Sequence, residues 1–204
     1  MAPTRRRSTH PSPYGVHPGA AMEARAIAGL KAKTGRTLEE WIAEIRRVGP
    51  RTEPECAAWL KTQHELGTNY AKWLASRAAG GSLVQRDPDA LVEAMYAGDK
   101  AALRSIHERL MKLALALGRD VTVTPCSTMV PIRRRYVIAQ IKPASRTRVD
   151  LGLALKDTKA NGRLLDTGGF AKKDRITHRI PITSVAEIDD EVVRWLRKAY
   201  EMDA

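Results

Sequence analysis

The chain has 204 residues, 43% of them hydrophobic, and 35 Lys and Arg against 23 Asp and Glu give a formal net charge of +12. No stretch approaches the ~18 consecutive apolar residues that cross a bilayer, the first residues lack a secretory signal, and two cysteines cannot build a disulfide framework. These totals exclude membrane-spanning and disulfide-stabilised classes and predict a cytoplasmic protein of two domains, since domains commonly run to ~100–150 residues.

Residues 1–22 are predicted to form a disordered basic arm. They hold four Pro, no acidic residue, and the run Arg5, Arg6 and Arg7. Such a composition cannot bury enough apolar surface to offset the entropy of ordering the chain. Met22 directly precedes the first helical pattern, so the sequence leaves the start of translation open between Met1 and Met22.

Residues 23–80 carry the pattern of a small bundle of four short helices. The first is expected over residues 23–33, and Gly35, Gly49 and Gly80 mark helix ends. Residues 37–40 and 52–55 both follow the capping-box pattern, in which a Thr and a Glu satisfy backbone N–H groups at a helix start. The apolar faces include Trp41, Trp59 and Trp73, which we expect in the core.

Short helices joined by a Gly-containing turn also resemble helix-turn-helix DNA-binding modules. This segment has 10 basic and 7 acidic side chains, an excess of only +3. We therefore favour a packing unit without a nucleic-acid ligand for residues 23–80.

Residues 87–204, after a predicted linker over 82–86, have the pattern of an α+β module. Asp87-Pro88 is typical of a helix start, and apolar residues recur at spacings of 3 and 4 from Leu103 to Leu117. A last helix is expected from about Ala186. Alternating residues predict strands over 121–124, 129–132, 136–141, 148–155 and 175–182. The expected fold class is α+β, with an N-terminal helical bundle followed by an antiparallel sheet that has helices packed on one face.

Several motifs resemble known families. Residues 33–41, 58–61 and 64–71 (KTGRTLEEW, AWLK and HELGTNYA) resemble a short helical bacterial domain of unknown function. Residues 96–100, 146–153, 177–180 and 195–200 (YAGDK, RTRVDLGL, THRI and WLRKAY) resemble an uncharacterised α+β domain distantly similar to the YdhG-like group. Some members of that group are described as frataxin-like iron chaperones. The resemblance implies a bacterial two-domain protein and brings no accepted active site with it.

The positive charge is concentrated in residues 119–182, which hold 14 basic and 5 acidic side chains. Part of this excess falls on strands and turns of one predicted sheet, and it defines a candidate nucleic-acid interface. Its members are Arg133, Arg134, Arg135, Arg146, Arg148, Lys172, Lys173, Arg175 and Arg179. Four of them, at positions 146, 148, 175 and 179, have the parity opposite to their apolar neighbours, so we expect them to point away from the core.

Guanidinium groups bind phosphate oxygens bidentately, so the predicted partner is nucleic acid or a nucleic-acid-containing assembly. A solvated basic face that only aids solubility is an equal alternative. The leading hypothesis is a non-catalytic accessory protein that contacts the phosphate backbone.

Other candidate sites have simpler explanations. His178 has the parity of the apolar residues in its strand and is expected in the core rather than on a metal. The acids at 187, 189, 190 and 191 suggest iron binding, in keeping with the chaperone resemblance, but acids are also favoured at a helix N-terminus. We expect no catalytic residues, no resident metal and no cofactor. A small-ligand or iron-chaperone function stays the alternative, and the oligomeric state stays open.

Overall fold

The computed structural model describes residues 12–15, 18–81 and 87–204. They separate into a helical unit, residues 18–81, and an α+β unit, residues 12–15 with 87–204. The predicted linker over 82–86 and Arg5, Arg6 and Arg7 of the predicted arm lie outside the described residues. No helix in these ranges combines the length and the apolar character needed to cross a membrane.

The helical unit consists of four helices. They are α1 (Pro18–Thr34), α2 (Leu38–Val48), α3 (Glu53–Gln63) and α4 (Thr68–Ala78). The first helix begins five residues before its predicted start, because proline is well tolerated in a first helical turn and Ala20 is buried there. The part of the predicted arm that runs from 18 to 22 is therefore helical rather than disordered.

Helix caps explain where α2 and α3 begin. The Thr37 hydroxyl accepts the backbone N–H of Glu40, whose carboxylate accepts the N–H of Thr37 at 2.6 Å, which completes the predicted capping box. The second predicted box is wrong. Thr52 donates its hydroxyl to the Glu55 carboxylate at 2.6 Å and makes no side-chain cap, so α3 relies on Pro54 in its first turn.

Aliphatic side chains fill the centre of this unit. Leu30, Leu60 and Leu74 are fully buried, and Trp41 is buried beside them. Trp59 and Trp73 are half-buried and pack against the edge of the same cluster. The tryptophans thus close the core of a unit too small to be sealed by aliphatic residues alone.

The α+β unit is a six-stranded antiparallel sheet with helices before and after it. The helices are α5 (Pro88–Met95), α6 (Arg104–Leu115) and α7 (Asp190–Glu201); the strands are β1 (Thr122–Val123), β2 (Val130–Arg133), β3 (Val137–Pro143), β4 (Val149–Leu153), β5 (Leu165–Asp166) and β6 (His178–Ile182). The strand order is β1-β2-β3-β4-β6-β5. This arrangement confirms the predicted α+β class. The last helix starts at Asp190 instead of Ala186, because Asp189 accepts two backbone N–H groups and caps it there.

The two faces of the sheet have different roles. One face packs Ile141, Leu151 and Ile180 against apolar residues of α5, α6 and α7 in a single core cluster. The strand register sets Lys142 opposite Asp150, and Gln140 and Arg179 on either side of Gly152, so these residues lie on the other side of the sheet. We call this second side the outer face.

Glycine is required at position 152 of the outer face. An added Cβ would lie 2.8 Å from Cγ of Gln140 and 2.9 Å from Cγ2 of Ile176. The missing side chain lets the segment before β6 approach the sheet closely.

The described part of the predicted arm that belongs to this unit also has a defined conformation. The backbone N–H of Gly15 donates to the carbonyl of Val123 at 2.7 Å, and the Tyr14 hydroxyl contacts Nε2 of His107 at 2.9 Å. His107 is fully buried on α6 and packs against the ring of Tyr96. Burial, helped by the positive charge of Arg104, lowers the pKa of His107 to about 4.

The buried imidazole predicts acid sensitivity. The unfolded chain takes up a proton at His107 near pH 6.5, whereas the folded chain resists it down to about pH 4. The free energy of unfolding is therefore about 3 kcal/mol higher above pH 6.5 than near pH 4 on account of this histidine. This contribution is lost as the pH falls from 6.5 towards 4. Urea unfolding of the wild type and of His107→Phe between these pH values should show a shallower pH dependence for the variant. Parallel profiles would contradict this assignment.

Candidate nucleic-acid interface

A buried carboxylate organises the centre of the outer face. Asp150 on β4 is only 9% exposed. Its Oδ1 lies 2.8 Å from Nε of Arg148, and its Oδ2 lies 3.0 Å from Nη1 of Arg179 on β6. Lys142 lies directly across from Asp150 on β3. One acid therefore stands among three cations that come from three neighbouring strands or their ends.

The turn between β3 and β4 brings a further cation to the edge of this group. The N–H groups of Ala144 and Ser145 both donate to the carbonyl of Arg148, which closes the hairpin. Arg146 stands at the tip of this turn with 80% of its side chain exposed, and its Nε lies 3.1 Å from Oδ2 of Asp99. An exposed pair of this kind contributes little to stability, so Arg146 remains available to another anion.

The group around Asp150 keeps an excess of positive charge and unused donors. Three cations and one carboxylate leave a net formal charge of +2. Each guanidinium has five N–H donors and donates one hydrogen bond to Asp150. The Arg148 and Arg179 side chains are each about 40% exposed, so part of each guanidinium faces solvent, although Nε of Arg148 is buried. Such an arrangement can bind phosphate oxygens.

Other predicted site residues instead hold the end of the chain in place. The buried carboxylate of Asp203 accepts the backbone N–H groups of Arg135 and Tyr136 at 3.0 and 2.8 Å and pairs with the Arg175 guanidinium. Arg175 also donates to the carbonyl of Val137. These contacts fasten the turn between β2 and β3 to the residues after α7.

Arg134 also connects the turn after β2 to α7. Its Nε lies 2.7 Å from the Asp120 carboxylate, Nη1 donates to the carbonyl of Tyr200, and its guanidinium stacks on the Tyr200 ring. The pKa of Asp120 is lowered, first by the hydrogen bond from Arg134 and then by the one from Tyr200. We interpret Arg134 and Arg175 as structural cations.

The nine predicted cations therefore do not share one surface. Arg148 and Arg179 lie on the outer face and Arg146 lies at its edge. The register that sets Arg133 opposite Thr122 puts it on the same face near the other end of the sheet. Lys172 and Lys173 are exposed in the connection between β5 and β6, where Lys173 adopts a positive φ of 60°. Arg175 is exposed, as expected, but its guanidinium is held by Asp203 and by the carbonyl of Val137. The strict alternation of the predicted strand ends before β6, where Thr177 is buried.

Sequence reasoning missed two kinds of residue. Lys142 belongs to the cation group, and the alternation of Gln140 and Lys142 with the buried Ile141 and Pro143 could have revealed it. Tyr136 is 56% exposed and its ring lies beneath the Arg175 guanidinium. Its position in an Arg-rich turn gave no periodic signal.

His178 and the acidic cluster have structural partners. His178 is buried, and its Nδ1 lies 2.8 Å from the hydroxyl of Thr177. Arg163 binds the carboxylates of Asp189 and Glu191, and its hydrogen bond is the main cause of the lowered pKa of Glu191. Across the described ranges, no group of three or more His, Cys, Asp or Glu side chains is arranged to hold a metal ion.

Comparison with known proteins identifies two domains. The model described as Domain of unknown function (DUF5655) matches residues 92–203, and the one described as Domain of unknown function (DUF4287) matches residues 23–79. These matches agree with the expectation of a two-domain protein of unknown function. No curated protein and no solved structure matches the chain.

The role of Asp203 can be tested by a substitution that keeps its shape. In Asp203→Asn we expect the α+β unit to lose about 2–3 kcal/mol of stability, because an amide cannot replace a carboxylate that accepts from two backbone groups and a guanidinium. Hydrogen exchange of the β3 and β4 amides measures this loss in the α+β unit alone. Asp157→Asn, at an exposed position, is the matched control. Equal protection in the two variants would refute the structural role.

Proposed function

Because the chain belongs to the family described as a domain of unknown function (DUF5655), we propose its function from its own surface: the outer face binds the phosphate backbone of nucleic acid. In this proposal the protein is a non-catalytic accessory factor of the bacterial cytoplasm. It acts on nucleic acid alone or within a nucleic-acid-containing assembly.

The observation that carries the proposal is the sharing of Asp150 by Arg148 and Arg179. Oδ2 of Asp150 accepts from both guanidiniums, from Nη1 of Arg179 at 3.0 Å and from Nη2 of Arg148 at 3.5 Å, and Nε of Arg148 lies 2.8 Å from Oδ1. Fixed guanidiniums lose less conformational entropy when they bind an anion than free ones do. The two guanidiniums and Asp150 together carry a net charge of +1, and Lys142, which lies across from Asp150, raises it to +2.

A face that only aids solubility explains this arrangement less well. Burial of a carboxylate carries a desolvation cost that the ion pairs offset only in part. Solubility needs exposed charge and gains nothing from a buried acid between two arginines. A phosphate site gains from it, since the acid sets the direction of the donors.

The outer face is long enough to contact several phosphates of a nucleic-acid backbone. Arg133 lies near one end of β3, and Arg148 lies just beyond its other end. Seven residues of extended chain span about 20 Å, since each residue advances ~3.3 Å. A nucleic-acid strand advances ~3.4 Å per nucleotide along a duplex, so the face spans several consecutive phosphates.

The iron-chaperone alternative has less support. It rests on the YdhG-like resemblance and on the acids near the start of α7, of which Asp189 caps that helix and Glu191 binds Arg163. A chaperone site requires clustered hard ligands, and the described parts of the chain contain no such group.

A variant that changes the site with little change in net charge tests the proposal. The combination of Arg148→Gln, Asp150→Asn and Arg179→Gln removes both guanidiniums and the acid between them, and lowers the net charge by one. We expect affinity for a single-stranded oligonucleotide at low salt to fall at least about tenfold, with the salt slope reduced by about 1–2, since each phosphate contact contributes ~0.7 to the slope. Fluorescence anisotropy over a salt series measures both quantities.

The matched control is Arg197→Gln, which removes one exposed charge from α7 on the helical side. If binding depends on the arranged guanidiniums, the control retains its affinity. Equal losses in both variants would mean that total charge alone attracts the ligand. The absence of binding by the wild type at low salt would reject the proposal.

A further inference from the structure

A cavity of about 590 Å³ opens beside the outer face of the α+β unit. Its walls come from the end of α5, residues 97–100, Ser127 and Thr128, and the turn after β3. It shares Lys142 with the group around Asp150, so the cavity and the outer face are adjacent. The volume lies within the ~300–1,000 Å³ typical of small-molecule sites.

Three cations line the cavity. They are Lys100, Lys142 and Arg146, and the accompanying acid is Asp99. The ammonium group of Lys100 donates to the carbonyl of Pro143 at 3.0 Å, which holds it at the wall and leaves two N–H donors. The hydroxyl groups of Ser127 and Thr128 add neutral donors. Such a set matches an anion with several oxygens and more than one negative charge.

The remaining wall is apolar. Met95 and Pro143 are buried side chains that line the cavity, and small alanine side chains leave space between them. A free inorganic anion would leave this surface unused. A ligand that carries an apolar, planar group beside its anionic group would cover it.

We propose that this cavity binds one nucleotide through its phosphate monoester. The monoester carries a charge of about −1.5 to −2 at pH 7 and has three acceptor oxygens. Lys100, Lys142 and Arg146 receive the phosphate, and the sugar and base lie against Met95 and Pro143. The ligand is either the phosphorylated end of a strand that lies on the outer face or a free nucleoside monophosphate. The first source rests on the proposed function and the second does not.

The ion pair between Arg146 and Asp99 gives a second prediction: loss of the cations should weaken phosphate binding, whereas loss of the acid should strengthen it. Both side chains are mostly exposed, so their mutual attraction is weak and screened. Asp99 competes with the phosphate for Arg146 and repels it. Removal of this acid should therefore strengthen binding, which would not follow if Asp99 only maintained the fold.

The experiment compares end-phosphorylated and unphosphorylated forms of one short single-stranded oligonucleotide, and in parallel AMP and adenosine. We expect the phosphorylated end to raise affinity about tenfold, the contribution of one or two charge-assisted hydrogen bonds. Lys100→Gln combined with Arg146→Gln should abolish this ratio. Arg179→Gln, outside the cavity, should weaken both oligonucleotides and leave the ratio unchanged. Asp99→Asn should raise the ratio, whereas Asp157→Asn should not.

The results separate the cavity from the outer face. A gain with AMP over adenosine, but none from a phosphorylated end, would support the cavity as a site for free nucleotide. No gain from either phosphate would overturn the inference, while salt-dependent binding of the unphosphorylated strand would still support the outer face. Binding of AMP without binding of any oligonucleotide would support the cavity and reject the proposed function.

Discussion

The carboxylate of Asp150 fixes two guanidinium groups on the outer face, and the chemistry of that face depends on this shared acceptor. Lysines on a bare sheet would move freely and bind an anion only by diffuse attraction. Arg148, just before β4, and Arg179 on β6 both donate to Oδ2 of this one acid, at 3.5 and 3.0 Å. The sheet register brings the three residues together, so the folding of β4 beside β6 also assembles the site.

The positively charged side chains of this unit have two different roles. Arg134 and Arg175 pair with Asp120 and Asp203 and join the turn after β2 to the end of the chain. These cations stabilise the fold, and because each is already paired with a carboxylate, they attract a further anion only weakly. Around Asp150, cations outnumber the acid. The net charge of a segment thus overestimates its capacity to bind a polyanion whenever some of its cations are already paired with carboxylates of the same fold.

Much of the fold was predictable because local patterns agree with the tertiary structure. The Thr37 capping box, the end of α2 at Gly49 and the antiparallel α+β class follow from spacing and turn chemistry. The start of α1 was not predictable from the sequence. Proline and glycine at 18 and 19 have the composition of a coil, whereas the burial of Ala20, which favours a helix, is visible only in the structure. At the site, parity indicated that Arg148 and Arg179 point away from the core, but it could not reveal that Arg175 pairs with Asp203, a residue distant in sequence.

Two acids near the proposed ligand sites differ in the one property that decides their effect, which is exposure to solvent. The Asp150 side chain is 12% exposed and pairs with two guanidiniums, so a phosphate cannot displace it without leaving a buried charge unpaired. The Asp99 side chain is 67% exposed, and water can replace Arg146 as its partner at little cost. A nucleotide phosphate would therefore take Arg146 from Asp99 and bind beside Asp150 without displacing it. In this proposal the buried acid directs donors towards the phosphate, whereas the exposed acid limits how tightly the phosphate is held.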